Sequence, residues 1–343
     1  MNRSLFYAAG LLMLASCSQG PKQNYVVTLN AGDAMNDKMA YIIDFDTEDK
    51  LDSAMISNGV AVFEGEVEKP RYVAISVDGT GVGSLYLEAD SINVSEEGVK
   101  GGELNAKNDE YWTMRMDAIK EFRELPDSLQ QARYEEFQTR INDAEKKLMD
   151  ENIDNALGYY YFLYGPARNL DLAGLDSAIA AHPSLGEYQR IQKMRQAFVN
   201  QAETSEGKMF KDFEVTYNDS TFRLSDHVGK GKYVLVDFWA SWCGPCIRQT
   251  AVIKDLYKEY GPKGLEVIGV AVWDKPEDTL KGIESHELPW MNVINAQSIP
   301  TEPYGIQGIP CIILFGPDGT IISRDKQNDE LREAVANAMA AAK

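Results

Sequence analysis

YVLVDFWASWCGPCIR, residues 233–248, is the stretch around which the rest of this sequence is organised. Its apolar first part, Tyr233 to Phe238, has the length and residue types of a buried strand, and Cys243-Gly-Pro-Cys246 then opens a helix that continues past Leu256. Two cysteines three positions apart lie about one helical turn from each other. They can therefore close a small disulfide or offer two thiols to one partner.

The place of Cys243 at the start of this helix predicts its chemistry. Unpaired backbone N–H groups and the positive end of the helix dipole stabilise an anion there, which lowers a thiol pKa from about 8.5 towards about 7 or below. Because the thiolate is the species that attacks disulfides, we expect Cys243 to be the nucleophile. Cys246 lies one turn deeper, so we expect it to be more shielded and to resolve a mixed disulfide at Cys243.

The segment VLVDFWASWCGPC resembles the active-site segment of thioredoxin, and the surrounding chain resembles the exported, membrane-anchored TlpA/ResA-like branch of that superfamily. The resemblance covers roughly residues 207–343. It implies a thioredoxin-like α/β domain, which we place at residues 204–343, and thiol-disulfide oxidoreductase activity without a cofactor. A zinc knuckle uses the same cysteine spacing but needs two further ligands, and no metal site is predicted here.

The same resemblance implies roles for residues outside the cysteine pair. The aspartate at the place of Asp237 is buried beneath the cysteines in thioredoxins, which implies a general acid/base for Cys246; a structural polar residue is the alternative. Ile309-Pro310 resembles the family's cis-proline element, whose backbone pairs with a substrate strand, and a trans proline is the alternative. The expected substrate-binding residues are Trp242, Gly244, Pro245, Ile309 and Pro310.

Cys311 departs from the family pattern, in which threonine or another small residue usually follows the proline. One interpretation is a buried small hydrophobe. The other is a third redox thiol that forms an alternative disulfide or a sulfenic acid with the pair.

Residues 1–17 are interpreted as a lipoprotein signal peptide. Arg3 forms a minimal positive region, Leu5 to Leu14 is apolar but too short to span a bilayer, and Leu14-Ala-Ser-Cys17 resembles a bacterial lipobox. This resemblance implies that Cys17 is lipidated, whereas an ordinary signal peptide with a chance cysteine is the alternative. Residues 18–24 then form a tether, and we expect the protein in the bacterial cell envelope, lipid-anchored and facing the periplasm.

Two regions of different periodicity lie between the tether and the redox domain. Residues 25–103 contain short alternating runs separated by turn signals such as Asn58-Gly59 and Asp78-Gly79, which predicts a small β-sandwich. Part of this region, residues 52–67, resembles the domain of unknown function found before thioredoxin domains in lipoproteins of Bacteroidetes-type bacteria. Residues 104–203 have apolar side chains at helical spacing and are predicted to form a helical segment.

Two further clusters in these regions could suggest binding sites. The aromatic block of residues 158–164 is interpreted as helix core rather than a peptide-binding surface. An acidic cluster lacks the glycine and spacing of an EF-hand calcium loop and is interpreted as a solvated loop. Its members are Asp44, Asp46, Glu48 and Asp49.

The formal charge of −19 argues against nucleic acid as a partner. The family resemblance implies other partners: disulfide-bearing exported client proteins, among them those of cytochrome c maturation, and a membrane electron donor that re-reduces the pair. Gly244-Pro245 matches the dipeptide of reducing thioredoxins, so a reductase is expected, with an oxidase or isomerase as the alternative. A ligand-binding or scaffold lipoprotein with an accessory redox domain is a further alternative, while a thiol peroxidase lacks its Thr-x-x-Cys setting.

Overall fold

The structure is a computed structural model that describes residues 23–341. The predicted signal peptide, its Cys17 and tether residues 18–22 lie outside this range, and the first strand already begins at Gln23. The chain divides into an N-terminal unit, the chain to Asn169 with Ala178–Arg190, and a C-terminal unit, Leu170–Ser177 with the chain from Ile191. Within the described residues, no helix combines the length and apolarity needed to cross a bilayer.

The N-terminal unit begins with a β-sandwich, as the alternating runs predict. Its eight strands are β1 Gln23–Asn30, β2 Met39–Asp44, β3 Lys50–Met55, β4 Val60–Val67, β5 Arg71–Val77, β6 Thr80–Leu87, β7 Ser91–Ser95 and β8 Gly98–Lys100. They form two four-stranded sheets, in the orders β4-β1-β7-β8 and β3-β2-β5-β6. Alternate side chains of both sheets enter one apolar core, for example Val27 and Ile92 from the first sheet and Ile42 and Ile75 from the second.

Five helices follow in the chain: α1 Glu103–Arg123, α2 Asp127–Glu151, α3 Ala156–Tyr164, α4 Leu172–Ala181 and α5 Gln189–Glu203. The aromatic block lies in α3, where Tyr159 and Phe162 are buried, which confirms its interpretation as core. In α1, however, Trp112 and Met116 are exposed although their spacing helps to predict the helix. The buried face of α1 instead contains Tyr111.

The interpretation of the acidic cluster as a solvated loop is wrong for Asp44 and Asp46, whereas Glu48 and Asp49 are exposed as expected. Asp44 is buried and forms an ion pair with Arg71 at 2.7 Å. Asp46 accepts hydrogen bonds from the Tyr159 hydroxyl at 2.8 Å and from the backbone N–H of Arg190 at 2.9 Å. Donors from distant parts of the same unit thus hold both carboxylates, and these bonds offset the cost of removing a charge from water.

The C-terminal unit contains the predicted α/β domain. Its elements are the hairpin strands β9 Glu214–Tyr217 and β10 Ser220–Arg223, then β11 Tyr233–Trp239, α6 Gly244–Tyr260, β12 Leu265–Ala271, α7 Pro276–Ser285, β13 Met291–Val293, β14 Cys311–Phe315, β15 Ile321–Arg324 and α8 Asn328–Ala341. The main sheet has the order β13-β12-β11-β14-β15. Strands β11, β12 and β13 are parallel, whereas β14 and β15 run antiparallel to their neighbours. The sheet is therefore mixed, with three parallel strands at one side and two antiparallel strands at the other.

The two faces of this sheet have separate apolar cores. Val236 and Phe238 of β11 pack on one face. Leu235 and Trp239 pack on the other face, in the cluster that also contains both cysteines of the CGPC segment. Because side chains alternate along a strand, Asp237 points to the same face as Leu235 and Trp239.

Candidate redox site

Cys243 and Cys246 form a disulfide in the structure, with an S–S distance of 2.01 Å. Cys243 is the residue just before α6, with extended backbone, and Gly244 and Pro245 are the first two helical residues. Proline fits here because its missing N–H would have no partner inside the helix anyway. The Sγ of Cys243 accepts a hydrogen bond from the backbone N–H of Cys246 at 3.2 Å. The first sulfur thus lies at the helix end where an anion is stabilised.

Both cysteines are buried in this oxidised form. The exposed fraction is 4% for Cys243 and 0% for Cys246, so the second cysteine is the deeper one, but by a small margin. Cys243 is less open than its position suggests because its side chain packs into an apolar cluster against which Ile309 also lies. Trp242, by contrast, is 61% exposed and offers a flat apolar surface next to the disulfide.

The Ile309–Pro310 peptide bond is cis, the isomer expected from the sequence. The carbonyl oxygen of Ile309 lies 3.8 Å from the Sγ of Cys243. The backbone before Pro310 therefore faces the first cysteine. After reduction of the disulfide, the carbonyl oxygen of Ile309 can accept a hydrogen bond from the Cys243 thiol.

Asp237 is a buried carboxyl group on the sheet face where the cysteine pair lies. Its exposed fraction is 1%, and within residues 23–341 its Oδ1 has no hydrogen-bond partner. Burial without a compensating donor or cation disfavours the charged form and raises the pKa of Asp237 from 3.8 to about 7. Asp237 can therefore gain or lose a proton near neutral pH, on the sheet face that contains Cys246.

Cys311 is a free, buried cysteine on β14, with an exposed fraction of 2%. It is paired in the sheet with Phe238 and packs with it on the opposite face from Cys243 and Cys246. Burial, and after it the carboxylate of Asp325, raise the pKa of its thiol. The sheet thus lies between Cys311 and the disulfide, which favours the buried hydrophobe over the third redox thiol.

Asp274 is a residue at this site that the sequence reasoning missed. It follows β12 and is 5% exposed. Its Oδ2 accepts hydrogen bonds from the backbone N–H of Ser241 at 2.8 Å and the Thr279 hydroxyl at 2.9 Å. Its Oδ1 accepts bonds from the Ser241 hydroxyl and the Lys275 N–H, both at 3.0 Å. The available signal was a carboxylate three residues after a buried strand, since the carboxyl ends of parallel neighbouring strands meet at one edge of the sheet.

Comparison with known proteins gives two matches to families. Residues 207–324 match the AhpC/TSA family, and residues 25–106 match a domain of unknown function, DUF4369.

Similar proteins include two thiol-disulfide oxidoreductases named ResA. That of Geobacillus thermodenitrificans is 32% identical over 99 residues, which are 29% of this chain and 56% of the relative. That of Geobacillus kaustophilus is 30% identical over 125 residues, which are 36% of this chain and 71% of the relative. The chain thus spans little more than half the length of the first relative.

Among solved structures, the thioredoxin domain of a thiol-disulfide oxidoreductase from Bacteroides vulgatus is 30% identical. The alignment covers 39% of this chain and 95% of that domain, with a TM-score of 0.33.

Proposed function

Because this chain belongs to the ResA-type thiol-disulfide oxidoreductases, with a thioredoxin-like domain at its C-terminal end, we propose that it reduces disulfides of client proteins through Cys243 and Cys246. The observation that supports this most directly is the Cys243–Cys246 disulfide at the N-terminus of α6, with the Ile309 carbonyl 3.8 Å from Cys243. A reactive pair and a backbone segment for a client strand are thus in one place.

In the proposed cycle, the Cys243 thiolate of the reduced protein attacks one sulfur of a client disulfide. The other client sulfur leaves as a thiolate and takes up a proton, and a mixed disulfide links Cys243 to the client. The Cys246 thiolate then attacks the Cys243 sulfur and displaces the second client sulfur. Two thiols of this protein are oxidised to the disulfide that the structure contains, and the client disulfide is reduced to two thiols.

Asp237 is the proposed proton acceptor for Cys246. An attacking thiol must lose its proton, and a buried base works best when its pKa lies near the working pH. The pKa of about 7 for Asp237 meets this condition, and its side chain lies on the sheet face of the disulfide. A carboxylate with an ordinary pKa would be a much weaker base.

The proposed client-binding surface consists of Trp242, Gly244, Pro245, Ile309 and Pro310. Trp242 supplies exposed apolar area, and the backbone of Ile309 supplies hydrogen-bonding groups next to the nucleophile. Backbone pairing of this kind binds an extended client segment with little dependence on its sequence. This suits a protein that acts on several exported clients.

We further propose that lipidated Cys17 holds the protein at a membrane of the cell envelope, facing the periplasm. The motif of residues 14–17 supports the anchor. In an oxidising compartment the pair must be re-reduced after each cycle, so a membrane electron donor is required. Gly244-Pro245 supports the reducing direction.

Trapping of clients tests the function. Cys246→Ser removes the resolving sulfur, so clients should accumulate as mixed disulfides on Cys243 that dithiothreitol releases. The matched control is the double variant Cys243→Ser, Cys246→Ser, which should trap none. If the single variant traps no more protein than the double variant in envelope extracts, the proposed exchange is wrong. The oxidation state of the trapped cysteines in wild-type cells gives the direction.

A further inference from the structure

We propose that Asp274 is a positioning residue for the redox pair, which fixes the Ser241–Trp242 segment so that a client meets Cys243 and Trp242 in one arrangement. This inference rests on the proposed disulfide exchange. Asp274 acts through its hydrogen bonds to Ser241, while the carbonyl of its neighbour Trp273 holds Trp242.

The carboxylate of Asp274 holds Ser241 at two points. One oxygen accepts the Ser241 backbone N–H at 2.8 Å, and the other accepts the Ser241 hydroxyl at 3.0 Å. Residues 240–243 form a tight turn, in which the N–H of Cys243 donates a hydrogen bond to the Ala240 carbonyl at 3.1 Å. Ser241 is thus fixed from outside the turn that presents Cys243.

The residue before Asp274 holds Trp242. The carbonyl oxygen of Trp273 accepts a hydrogen bond from the indole Nε1 of Trp242 at 3.0 Å. Trp273 has φ of 54°, uncommon for a residue other than glycine, asparagine or aspartate. The backbone of Asp274 is in turn held by the Gln297 amide, which donates to its carbonyl at 2.7 Å.

Two consecutive residues, Trp273 and Asp274, therefore hold two consecutive residues, Ser241 and Trp242. A side chain that is 61% exposed would otherwise sample several rotamers, and ordering it on binding would weaken the binding of a client. Because its indole N–H is hydrogen-bonded, Trp242 exposes the same face of its ring before a client binds. The expected benefit is preorganised client binding.

The same carboxylate also bonds the Lys275 N–H and the Thr279 hydroxyl at the start of α7. The experiment must therefore distinguish an Asp274 that only stabilises α7 from one that positions Ser241 and Trp242. Ser241→Ala removes one bond on the side of the redox pair, and Thr279→Val removes one on the side of α7. Thr204→Val is a control for lost stability, since Thr204 is buried and bonded to the Tyr304 carbonyl in the same unit.

The principal variant is Asp274→Asn in the full chain. An amide keeps the shape but has one accepting oxygen, so either the Ser241 N–H or the Lys275 N–H loses its acceptor. We expect the KM for reduction of insulin to rise about tenfold with a smaller change in kcat. Ser241→Ala should shift the KM in the same direction but less, and Thr279→Val and Thr204→Val should leave it within about twofold.

The proposal is overturned if Asp274→Asn, still folded, keeps the wild-type KM, or if Thr279→Val raises the KM as much as Asp274→Asn does. A second measurement needs no client: the fluorescence anisotropy of Trp242, taken as the difference from Trp242→Phe, should fall in Asp274→Asn. An unchanged anisotropy also overturns the proposal. If the wild-type chain reduces no disulfide, the proposed function fails, and the anisotropy still decides whether Asp274 positions Trp242.

Discussion

Replacing Asp237 by asparagine should change how the stability of the C-terminal unit depends on pH. Asparagine has nearly the same shape but cannot ionise, so the variant removes the charge and leaves the packing. In the wild type the carboxyl is 1% exposed, and burial raises its pKa from 3.8 to about 7. The folded state therefore binds the proton more tightly than the unfolded state does.

The size of the effect follows from this pKa. Below about pH 4 both states are protonated and Asp237 costs nothing, whereas above about pH 7 both are ionised and the folded state bears the full cost. The shift is about three units, so the wild type loses about 4 kcal/mol of unfolding free energy as pH rises through this window. About 2 kcal/mol of this loss falls between about pH 5.5 and about pH 8.5.

The assay is urea unfolding of the oxidised protein, in which Cys243 and Cys246 do not titrate, at several pH values in this range. Tryptophan fluorescence reports mainly the region of interest, because four of the five tryptophans lie within residues 204–343. The quantity to compare is the unfolding free energy of Asp237→Asn minus that of the wild type, in which the titration of all other groups cancels.

This difference should increase in favour of the variant by about 2 kcal/mol from about pH 5.5 to about pH 8.5. The pH-independent cost of burying an amide shifts all values equally and does not affect the slope. A difference that stays constant with pH would refute the reasoning, because Asp237 would then have the same pKa in the folded and unfolded states.

Other variants test separate parts of the account. Asp237→Ala should remove the contribution of this carboxyl near pH 7 from the pH profile of insulin reduction and leave that of Cys243, and an unchanged profile would exclude Asp237 as the proton acceptor. Cys311→Ser should leave the redox potential of the Cys243–Cys246 pair within about 10 mV of the wild type, because the sheet separates Cys311 from the disulfide. A larger shift would favour Cys311 as a third redox thiol. Gly269→Ala should lower the unfolding free energy by about 1–3 kcal/mol, since a Cβ there would lie 2.3 Å from Asn292 Oδ1, and undiminished stability in urea would show that the site adapts.

Features that depend on neighbouring residues were predicted well. The apolar run before Cys243 and the helix after it follow from local periodicity, and Asn58-Gly59 forms a turn with positive φ at both residues. The sandwich follows from the same kind of signal, whereas the α/β domain was implied by the resemblance of residues 207–343 to thioredoxin-like proteins. Such patterns depend on residues that are close together in the chain, which a sequence shows directly.

Features that depend on tertiary contacts were missed. Asp46 is bonded by Tyr159, which is 113 residues away, so no local pattern distinguishes it from a solvated aspartate. The face occupied by Cys311 depends on its sheet pairing with Phe238. Asp274 meets Ser241 because β11 and β12 are parallel neighbours that end together. A sequence without the sheet order does not contain these relationships.

The most direct test is the rate at which each cysteine of the reduced protein reacts with iodoacetamide as pH is varied, read by mass spectrometry of the peptides. The account predicts that Cys243 reacts first, with a midpoint at about pH 7 or below, while Cys246 and Cys311 remain largely unmodified. A midpoint for Cys243 near about pH 8.5, as for an ordinary thiol, or equal reaction of Cys243 and Cys246, would contradict it.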